Sequence, residues 1–211
     1  HAKQILFSTQ LSDKLQNIDL DLSFKTHAGI HKPDLPGRLL KHEFTEGKNK
    51  FPKAGSLHLD NKKAQALHFF ANHELQAIEM MAAAIILFPA KTEEDHKFNL
   101  GLMRTIQDER KHFLLYQNRF NELGYEFGDF GIGNFFWKQL PNINTKSQFY
   151  SFIALTLEAA NLDFAKYYSE VFASFGDTKS SKILDIVYED EIRHVDIGRK
   201  WLELWRGDKT L

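Results

Sequence analysis

The sequence predicts an all-α fold, with four long helices in one bundle behind an irregular N-terminal arm. Apolar residues recur at helical spacing in four long stretches, which Pro, Gly and helix-capping residues separate. Two of these stretches also contain the same Glu-x-x-His motif, and the other two each contain one Glu within an apolar face. We expect the arm to occupy residues 1–60 and the bundle residues 61–211, as a single domain.

The composition excludes several classes of protein. With 43% hydrophobic and 26% charged residues, the chain can bury a core and is not disordered. Its 27 basic and 28 acidic residues create no net field for nucleic acid or membranes. Because there is no Cys, disulfides and zinc ribbons are excluded, and a metal would be bound by oxygen and nitrogen atoms. We expect a cytoplasmic protein.

Neither a membrane span nor a signal peptide is predicted. The longest apolar run, from Met80 to Phe88, is far too short to cross a bilayer. Charged residues at Asp13, Lys14, Asp19 and Asp21 interrupt the N-terminal stretch, where a signal peptide would be apolar.

The N-terminal arm has little periodicity. A weakly amphipathic stretch runs from Ile5 to Leu20, and residues 31–56 are rich in turn-forming residues. A bare bundle does not require such a segment, so we expect it to pack across the helices or against a partner. The turn-forming residues are Pro33, Pro36, Gly37, Gly47, Pro52 and Gly55.

The first two long helices are predicted from Asn61 to Phe88 and from Thr92 to Leu123. Pro89 ends the first helix, and Gly124 is a C-terminal cap for the second. The inner face of the second helix is predicted to carry Leu102, Ile106, Glu109, His112 or Phe113, Tyr116 and Phe120.

A long connection from Tyr125 to Asn144 follows, and it is rich in aromatic residues. These residues have two interpretations: ordinary core at the end of the bundle, or a lid over a substrate channel. They are Phe127, Phe130, Phe135, Phe136 and Trp137.

The third and fourth helices are predicted from their caps. Thr145-x-x-Gln148 forms a capping box for the third, which reaches about Phe175, and Asp177 caps the fourth, which ends by Gly207. The fourth helix is expected to direct Leu184, Val187, Glu191, His194, Gly198, Trp201 and Trp205 inward.

Two five-residue motifs contain candidate metal ligands. Residues 108–112 and 190–194 each contain Asp-Glu followed by a His three positions after the Glu. On a helix this spacing brings the Glu and His side chains to one face, one turn apart, where both can bind a single ion. Chance alone predicts only roughly 0.04 such motifs in a chain of this composition, so two copies are significant.

A third Glu-x-x-His match, from Glu93 to His96, is interpreted differently. It follows Phe88-Pro89 within an acidic run, and acidic residues are common at the start of a helix. We assign it no metal.

A dinuclear metal site in a helical bundle needs one more carboxylate from each of the two other helices. Glu74 lies in the middle of an apolar stripe, and Glu158 lies among Phe152, Ala154, Leu155, Leu162 and Ala165. Glu79 is about 140° around the helix from Glu74, so both cannot point the same way. We select Glu74 and keep Glu79 as a reserve ligand.

Several neighbouring residues are candidates for hydrogen bonding to the ligands or for compensating their charge. Asp108 and Asp190 are placed to accept a hydrogen bond from a ligating His, or are surface charges. Arg110 and Arg193 either neutralise those acids or are exposed. Tyr188 is either a hydrogen-bond donor or redox relay at the site, or a core residue. His73, beside Glu74, either supports the ligands or is structural, and is not expected to bind the metal itself. We assign no role to the arm histidines His27, His31, His42 and His58.

The order Glu, Glu-x-x-His, Glu, Glu-x-x-His resembles the ferritin-like di-iron carboxylate superfamily. Residues 74–78, Glu-Leu-Gln-Ala-Ile, are similar to the first-helix motif of bacterioferritins, which favours Glu74 over Glu79. The chain is most similar to an uncharacterised bacterial domain-of-unknown-function branch, which carries His-Glu-Leu-Gln-Ala-Ile-Glu (here residues 73–79). The branch also shares the pattern of residues 109–113, 158–159, 190–191 and 194–195. The resemblance covers about residues 33–205 and implies a four-helix bundle with a dinuclear site.

This ligand set suits two iron ions, or manganese with iron. The leading expectation is an O₂-dependent oxidase or oxygenase, for instance a hydroxylase. Its substrate is expected to be a small organic molecule or a modified nucleoside, and its electron donor is unknown. We expect a monomer or dimer rather than a cage. One alternative is a ferroxidase or iron-storage protein, and another is a bundle whose metal is only structural.

Overall fold

The computed structural model describes residues 1–18, 20, 31–45 and 50–206. Within these residues the chain is all-helical and contains no β-strand, so the predicted fold class is confirmed at this level. The α-helices in this part of the chain are α1 (Ala2–Phe7), α2 (Leu11–Lys14), α3 (Asp60–Leu87), α4 (Glu93–Glu122), α5 (Lys146–Phe152), α6 (Ala159–Ser174) and α7 (Thr178–Arg206).

Helices α3 and α4 begin and end within one residue of their predicted bounds. Thr92 caps α4 through a capping box: its Oγ1 accepts from the Asp95 N–H at 3.2 Å, and the Asp95 carboxylate accepts from the Thr92 N–H at 2.9 Å. The Glu93–His96 match therefore lies in the first turn of α4, where Glu93 is exposed and His96 is half-buried.

The third predicted helix starts where expected but is not regular. Thr145 Oγ1 accepts from the Gln148 N–H at 3.1 Å, and α5 follows. Residues Ile153–Glu158 then form a π-helical segment before α6 begins. A π turn holds more residues than an α turn, so the faces before and after it are out of register. The prediction that Leu155 lies on the apolar face is consequently wrong, since its side chain is 48% exposed.

The chain divides into two compact units, which we describe separately. The first contains residues 1–52 and 60–142. In it α3 and α4 pack against each other as a helical hairpin joined by residues 88–92, and α1 packs on α3. Helix α3 is buried along most of its length, and the predicted inner face of α4 is buried from Leu102 to Phe120.

The second unit contains residues 53–59 and 143–211. Here α6 packs on α7, and the π segment also packs on α7. The contact is closest at Gly198, where a Cβ atom would lie 2.1 Å from the Ala154 Cβ. Asp177 caps α7, as expected, because its Oδ1 accepts from the Ser180 N–H at 3.1 Å.

The N-terminal arm is more helical than expected, because α2 lies within the stretch from Ile5 to Leu20 and α1, which begins at Ala2, overlaps that stretch. Predictions that involve Asp19, Asp21, His27, Gly47 and Gly207 fall outside the described residues. None of the helices in the described ranges combines the length and the apolar character that a bilayer crossing requires.

Candidate metal centre

Glu109 and His112 of α4 form the first candidate pair of ligands. Both are completely buried, and the His112 Nδ1 lies 3.1 Å from the Glu109 Oε2. One helical turn separates the two residues, so this arrangement follows from local helix geometry.

Glu74 joins this pair from α3. It is 3% exposed, and one ligand atom each from Glu74, Glu109 and His112 lies within 4.8 Å of the others. The first unit thus contains two carboxylates and an imidazole that can bind one ion together.

Glu79, the reserve ligand, binds other groups. Arg38 donates to both of its oxygens, at 3.1 and 2.6 Å, and the Lys14 ammonium lies 3.1 Å from its Oε1. The indole N–H of Trp137 donates to its Oε2 at 3.1 Å. These three groups occupy both oxygens of Glu79, and Glu74 is the α3 carboxylate that lies beside Glu109 and His112.

The second unit repeats this arrangement on α7. Glu191 is completely buried and His194 is 4% exposed, with the His194 Nδ1 lying 3.0 Å from the Glu191 Oε2. Glu158 is 5% exposed, and its carboxylate offers an oxygen within 4.8 Å of ligand atoms of Glu191 and His194. Glu158 is also the last residue of the π segment, and π segments are frequent at functional sites.

The Glu–His separations of 3.1 and 3.0 Å have two chemical explanations. They are hydrogen-bond lengths, in which case each carboxylate orients its own imidazole. They are also the distance between neighbouring ligands of one ion, because two atoms about 2.1 Å from a metal at a right angle lie about 3.0 Å apart. The same geometry in both units therefore fits a metal-binding role without requiring the side chains to move.

Sequence reasoning missed Asn161, which contacts Glu191. Its side-chain Nδ2 donates to the Glu191 Oε1 at 2.7 Å. Asn161 lies three residues after Glu158 on α6, the same spacing that separates Glu from His in the two motifs. This three-residue spacing is the feature of the sequence that could have identified Asn161 as a neighbour of the site. The hydrogen bond orients Glu191 and leaves its other oxygen beside His194.

Tyr150 was also not predicted. It is 4% exposed, and its ring stacks on Trp201 with centroids 6.5 Å apart. Burial raises the pKa of the Tyr150 phenol, while the charge of a protonated His194 would lower it. The phenol is thus held neutral within electrostatic range of a candidate ligand.

The charged neighbours of the two motifs differ from each other. Arg193 donates to Asp190 at 2.5 Å and is itself exposed, so both alternatives given for this arginine apply. Arg110 instead donates to the backbone carbonyl of Leu15, just after α2. Asp108 is half-buried and Asp190 is buried.

Tyr188 and His73 line two clefts, one in each unit. Tyr188 is half-buried in the wall of a cleft of about 300 Å³ in the second unit. His73 lies between the rings of Phe69 and Phe136, with centroids 4.4 and 5.2 Å away, and burial lowers its pKa to about 4. The imidazole of His73 is therefore neutral at pH 7.

Comparison with known proteins identifies a family. The family model described as "Protein of unknown function (DUF455)" matches residues 2–211, so the chain belongs to that family. A protein of Haemophilus influenzae, itself described as uncharacterized, is 32% identical over 145 residues, which are 65% of this chain and 50% of that protein. The match thus spans half of that relative's length. No solved structure matches the chain.

Proposed function

We propose that this member of the DUF455 family is a ferritin-like four-helix bundle protein that binds two iron ions, or one manganese and one iron. We propose further that it acts as an O₂-dependent oxidase or oxygenase on an organic substrate. One observation carries the proposal: each compact unit contains the same buried set of two carboxylates and one imidazole. In the proposal these sets combine into one dinuclear centre formed by Glu74, Glu109, His112, Glu158, Glu191 and His194.

The chemistry of these ligands supports hard divalent ions. Oxygen and imidazole nitrogen atoms suit iron and manganese, and the chain has no Cys to favour softer metals. Burying a carboxylate costs several kcal/mol unless an opposite charge compensates it. Two divalent cations supply four positive charges, which equals the charge of four ionised carboxylates.

Each group has a distinct proposed role. Glu109 with His112, and Glu191 with His194, each bind one ion, and Glu74 and Glu158 complete the two coordination shells. When bound, two Fe(II) ions supply two electrons for the reduction of O₂. Asn161 keeps Glu191 oriented through the hydrogen bond to its Oε1. Neutral Tyr150 provides a buried phenol close to His194.

An aromatic-lined cleft favours an organic substrate over iron storage. Phe69 and Phe135 line a cleft of about 630 Å³ in the first unit, a size typical of small-molecule sites. Oxidation of iron alone requires no such cleft. A small organic molecule or a modified nucleoside is the proposed substrate class, and the protein is proposed to be a cytoplasmic monomer or dimer.

Metal analysis tests the site. Protein purified without added metal should contain iron, or iron and manganese, close to two ions per chain. Glu109→Ala and Glu191→Ala should each remove at least half of the metal, and Glu203→Ala, at an exposed residue, should retain it. Glu109→Gln and Glu191→Gln provide variants of unchanged size in case the Ala variants fold poorly. Equal metal in folded variants and wild type would contradict the proposal.

Reaction with O₂ tests the activity. Anaerobic loading with Fe(II), followed by O₂, should produce a transient visible absorption that Glu109→Gln lacks. Absence of any such absorption in the loaded wild type would favour a structural metal instead. Size-exclusion chromatography should give a monomer or dimer, whereas a large shell that mineralises iron would support storage.

A further inference from the structure

Two tryptophans of the second unit pack against one buried tyrosine. The ring centroids of Trp201 and Trp205 are 5.1 Å apart, and they lie 6.5 and 5.9 Å from the centroid of Tyr150. These are the separations of aromatic rings in direct contact. We call these three residues the aromatic cluster. The third tryptophan of the chain, Trp137, belongs to the first unit.

The aromatic cluster begins one helical turn from a candidate metal ligand. His194, Gly198, Trp201 and Trp205 recur at helical spacing, so they lie along one face of α7. Gly198 has no side chain, and the ring of Tyr150 packs beside it, with its Cδ1 3.5 Å from the position that a Cβ would take. Tyr150 therefore packs on α7 between the levels of His194 and Trp201.

The aromatic cluster also extends from the interior of the second unit to its surface. His194 and Tyr150 are each 4% exposed, whereas Trp201 and Trp205 are half-buried. A half-buried ring can exchange electrons and protons with dissolved molecules, and a buried ring cannot. The cluster is thus a continuous aromatic path from the neighbourhood of His194 to water.

The three rings differ in how readily they lose an electron. A phenol is easily oxidised only when it also loses its proton, and burial raises the pKa of Tyr150, so its proton is retained. An indole can lose an electron first, and at a half-buried position its N–H proton then passes to water. Oxidation therefore settles on Trp201 and Trp205, while the ring of Tyr150 is the contact that bridges them to the interior.

We propose that the aromatic cluster conducts electrons from the surface of the second unit to the metal centre, and that a small hydrogen-atom donor such as a thiol replaces them. This inference rests on the proposed function, because the electrons are needed only where O₂ is reduced.

The electrons and protons balance when no organic substrate is oxidised. Reduction of O₂ to two water molecules takes four electrons and four protons. Two Fe(II) ions supply two electrons, and Trp201 and Trp205 supply one each. Both indoles release their N–H protons, and the solvent supplies the other two protons. Two thiols then return one hydrogen atom to each indole and combine into a disulfide.

Mass-spectrometric mapping of oxidised residues tests the proposal. Protein loaded anaerobically with Fe(II), and then exposed to O₂ without substrate or thiol, should gain oxygen atoms at Trp201 and Trp205. Trp137 and Tyr167, which lie outside the cluster, should stay unmodified. Catalase, which removes free peroxide, should not change this pattern. Glutathione should prevent the modification and be converted to its disulfide, and iron-free protein should show neither effect.

Conservative variants separate electron transfer from packing. A variant with both Trp201→Phe and Trp205→Phe retains two aromatic rings but lacks the oxidisable indoles. It should bind iron like the wild type and lose the iron-dependent oxidation of glutathione. Where this variant folds poorly, Trp205→Phe alone should confine the modification to Trp201. Tyr167→Phe, at a residue that is 51% exposed, is the matched control and should behave like the wild type.

Two results would overturn the proposal: modification spread equally over Trp137, Tyr167 and the aromatic cluster, or glutathione oxidation that the double variant leaves unchanged. Iron content and the transient absorption of the same samples report on the proposed function separately. Iron binding and reaction with O₂ without oxidation of Trp201 or Trp205 would refute the electron path alone. Absence of both iron and reaction would refute the proposed function, and the path with it.

Discussion

Arg38 donates two hydrogen bonds to Glu79, from Nε to Oε1 at 3.1 Å and from Nη2 to Oε2 at 2.6 Å, and both side chains are almost fully removed from water. Lys14 and Trp137 contact the same carboxylate. Glu79 therefore connects the N-terminal arm, helix α3 and the connection after α4 within the first unit. Its buried charge is compensated by two cations from the arm.

Replacement of Glu79 should lower the free energy of unfolding. Glu79→Gln leaves Lys14 and Arg38 buried without their counter-charge, and breaking a buried ion pair costs about 3–5 kcal/mol. Urea denaturation should show a loss of that size. Glu203→Gln, which removes the exposed pair with Arg199, should cost about 1 kcal/mol or less. Similar losses in the two variants would contradict the role of Glu79.

The same variant should respond to alkaline pH. Burial lowers the pKa of Lys14, while the Glu79 carboxylate raises it. Without Glu79 the folded-state pKa falls further below the unfolded value, so the unfolded chain binds the extra proton. Stability should therefore rise from pH 7 to pH 10 more steeply in Glu79→Gln than in the wild type. Urea denaturation across this range measures the difference, and parallel curves would argue against it.

Asn161 should control metal affinity without binding the metal. Asn161→Ala removes the hydrogen bond to Glu191 Oε1, and losing a partner of a ligating side chain typically costs 10- to 100-fold in affinity. Competition with a chelator should detect this change at unaltered thermal stability. Asn118→Ala, at an exposed position of α4, is the matched control. Unchanged affinity in Asn161→Ala would show that Asn161 does not orient a ligand.

His68 should make the first unit sensitive to mild acid. Its Nε2 accepts from the Gly128 N–H at 2.9 Å, and burial lowers its pKa to about 4. Between that value and about 6.5 the unfolded chain binds the proton and the folded chain does not, so stability is lost as the pH falls.

The comparison of wild type with His68→Gln isolates this contribution. Gln keeps an acceptor for Gly128 but does not titrate, so the wild type should lose about 2 kcal/mol more than the variant between pH 7 and pH 5. His31→Gln, at an exposed residue, should retain the wild-type slope. An identical slope in His68→Gln would exclude His68 as the cause.

Gly198 should tolerate no side chain. A Cβ at this position would lie 2.1 Å from the Ala154 Cβ, so Gly198→Ala forces α7 away from the π segment and should cost at least about 1–3 kcal/mol. Gly55→Ala meets no atom within 4 Å and should be close to neutral. Thermal melts measure both. Ala154→Gly should restore part of the stability of Gly198→Ala, and the absence of any coupling would contradict a direct contact.

Much of the chain's local structure could be predicted from the sequence. The bounds of α3 and α4, the caps at Thr145 and Asp177, and the burial of the inner face of α4 all agree with the structure. The close approach of each His to its Glu was also predictable, because residues three apart on a helix are neighbours whatever surrounds them.

Periodicity could not locate the break in the third predicted helix. Leu155 has the spacing of a buried residue, but the π segment rotates one face relative to the next and leaves its side chain exposed. The π segment packs against α7, and a pattern of apolar residues does not encode a contact between segments so far apart in the chain.

The sequence by itself determined the bounds of the long helices α3 and α4 and which Glu and His share a helix face, since neighbours along one helix set both features. Only the tertiary structure decided that Glu79 binds Arg38 and Lys14 while Glu74 lies beside Glu109, and that Asn161 contacts Glu191. The physical reason is that these contacts join residues far apart in the chain. Their partners depend on how segments pack, and a helical period of 3.6 residues carries no information about that packing.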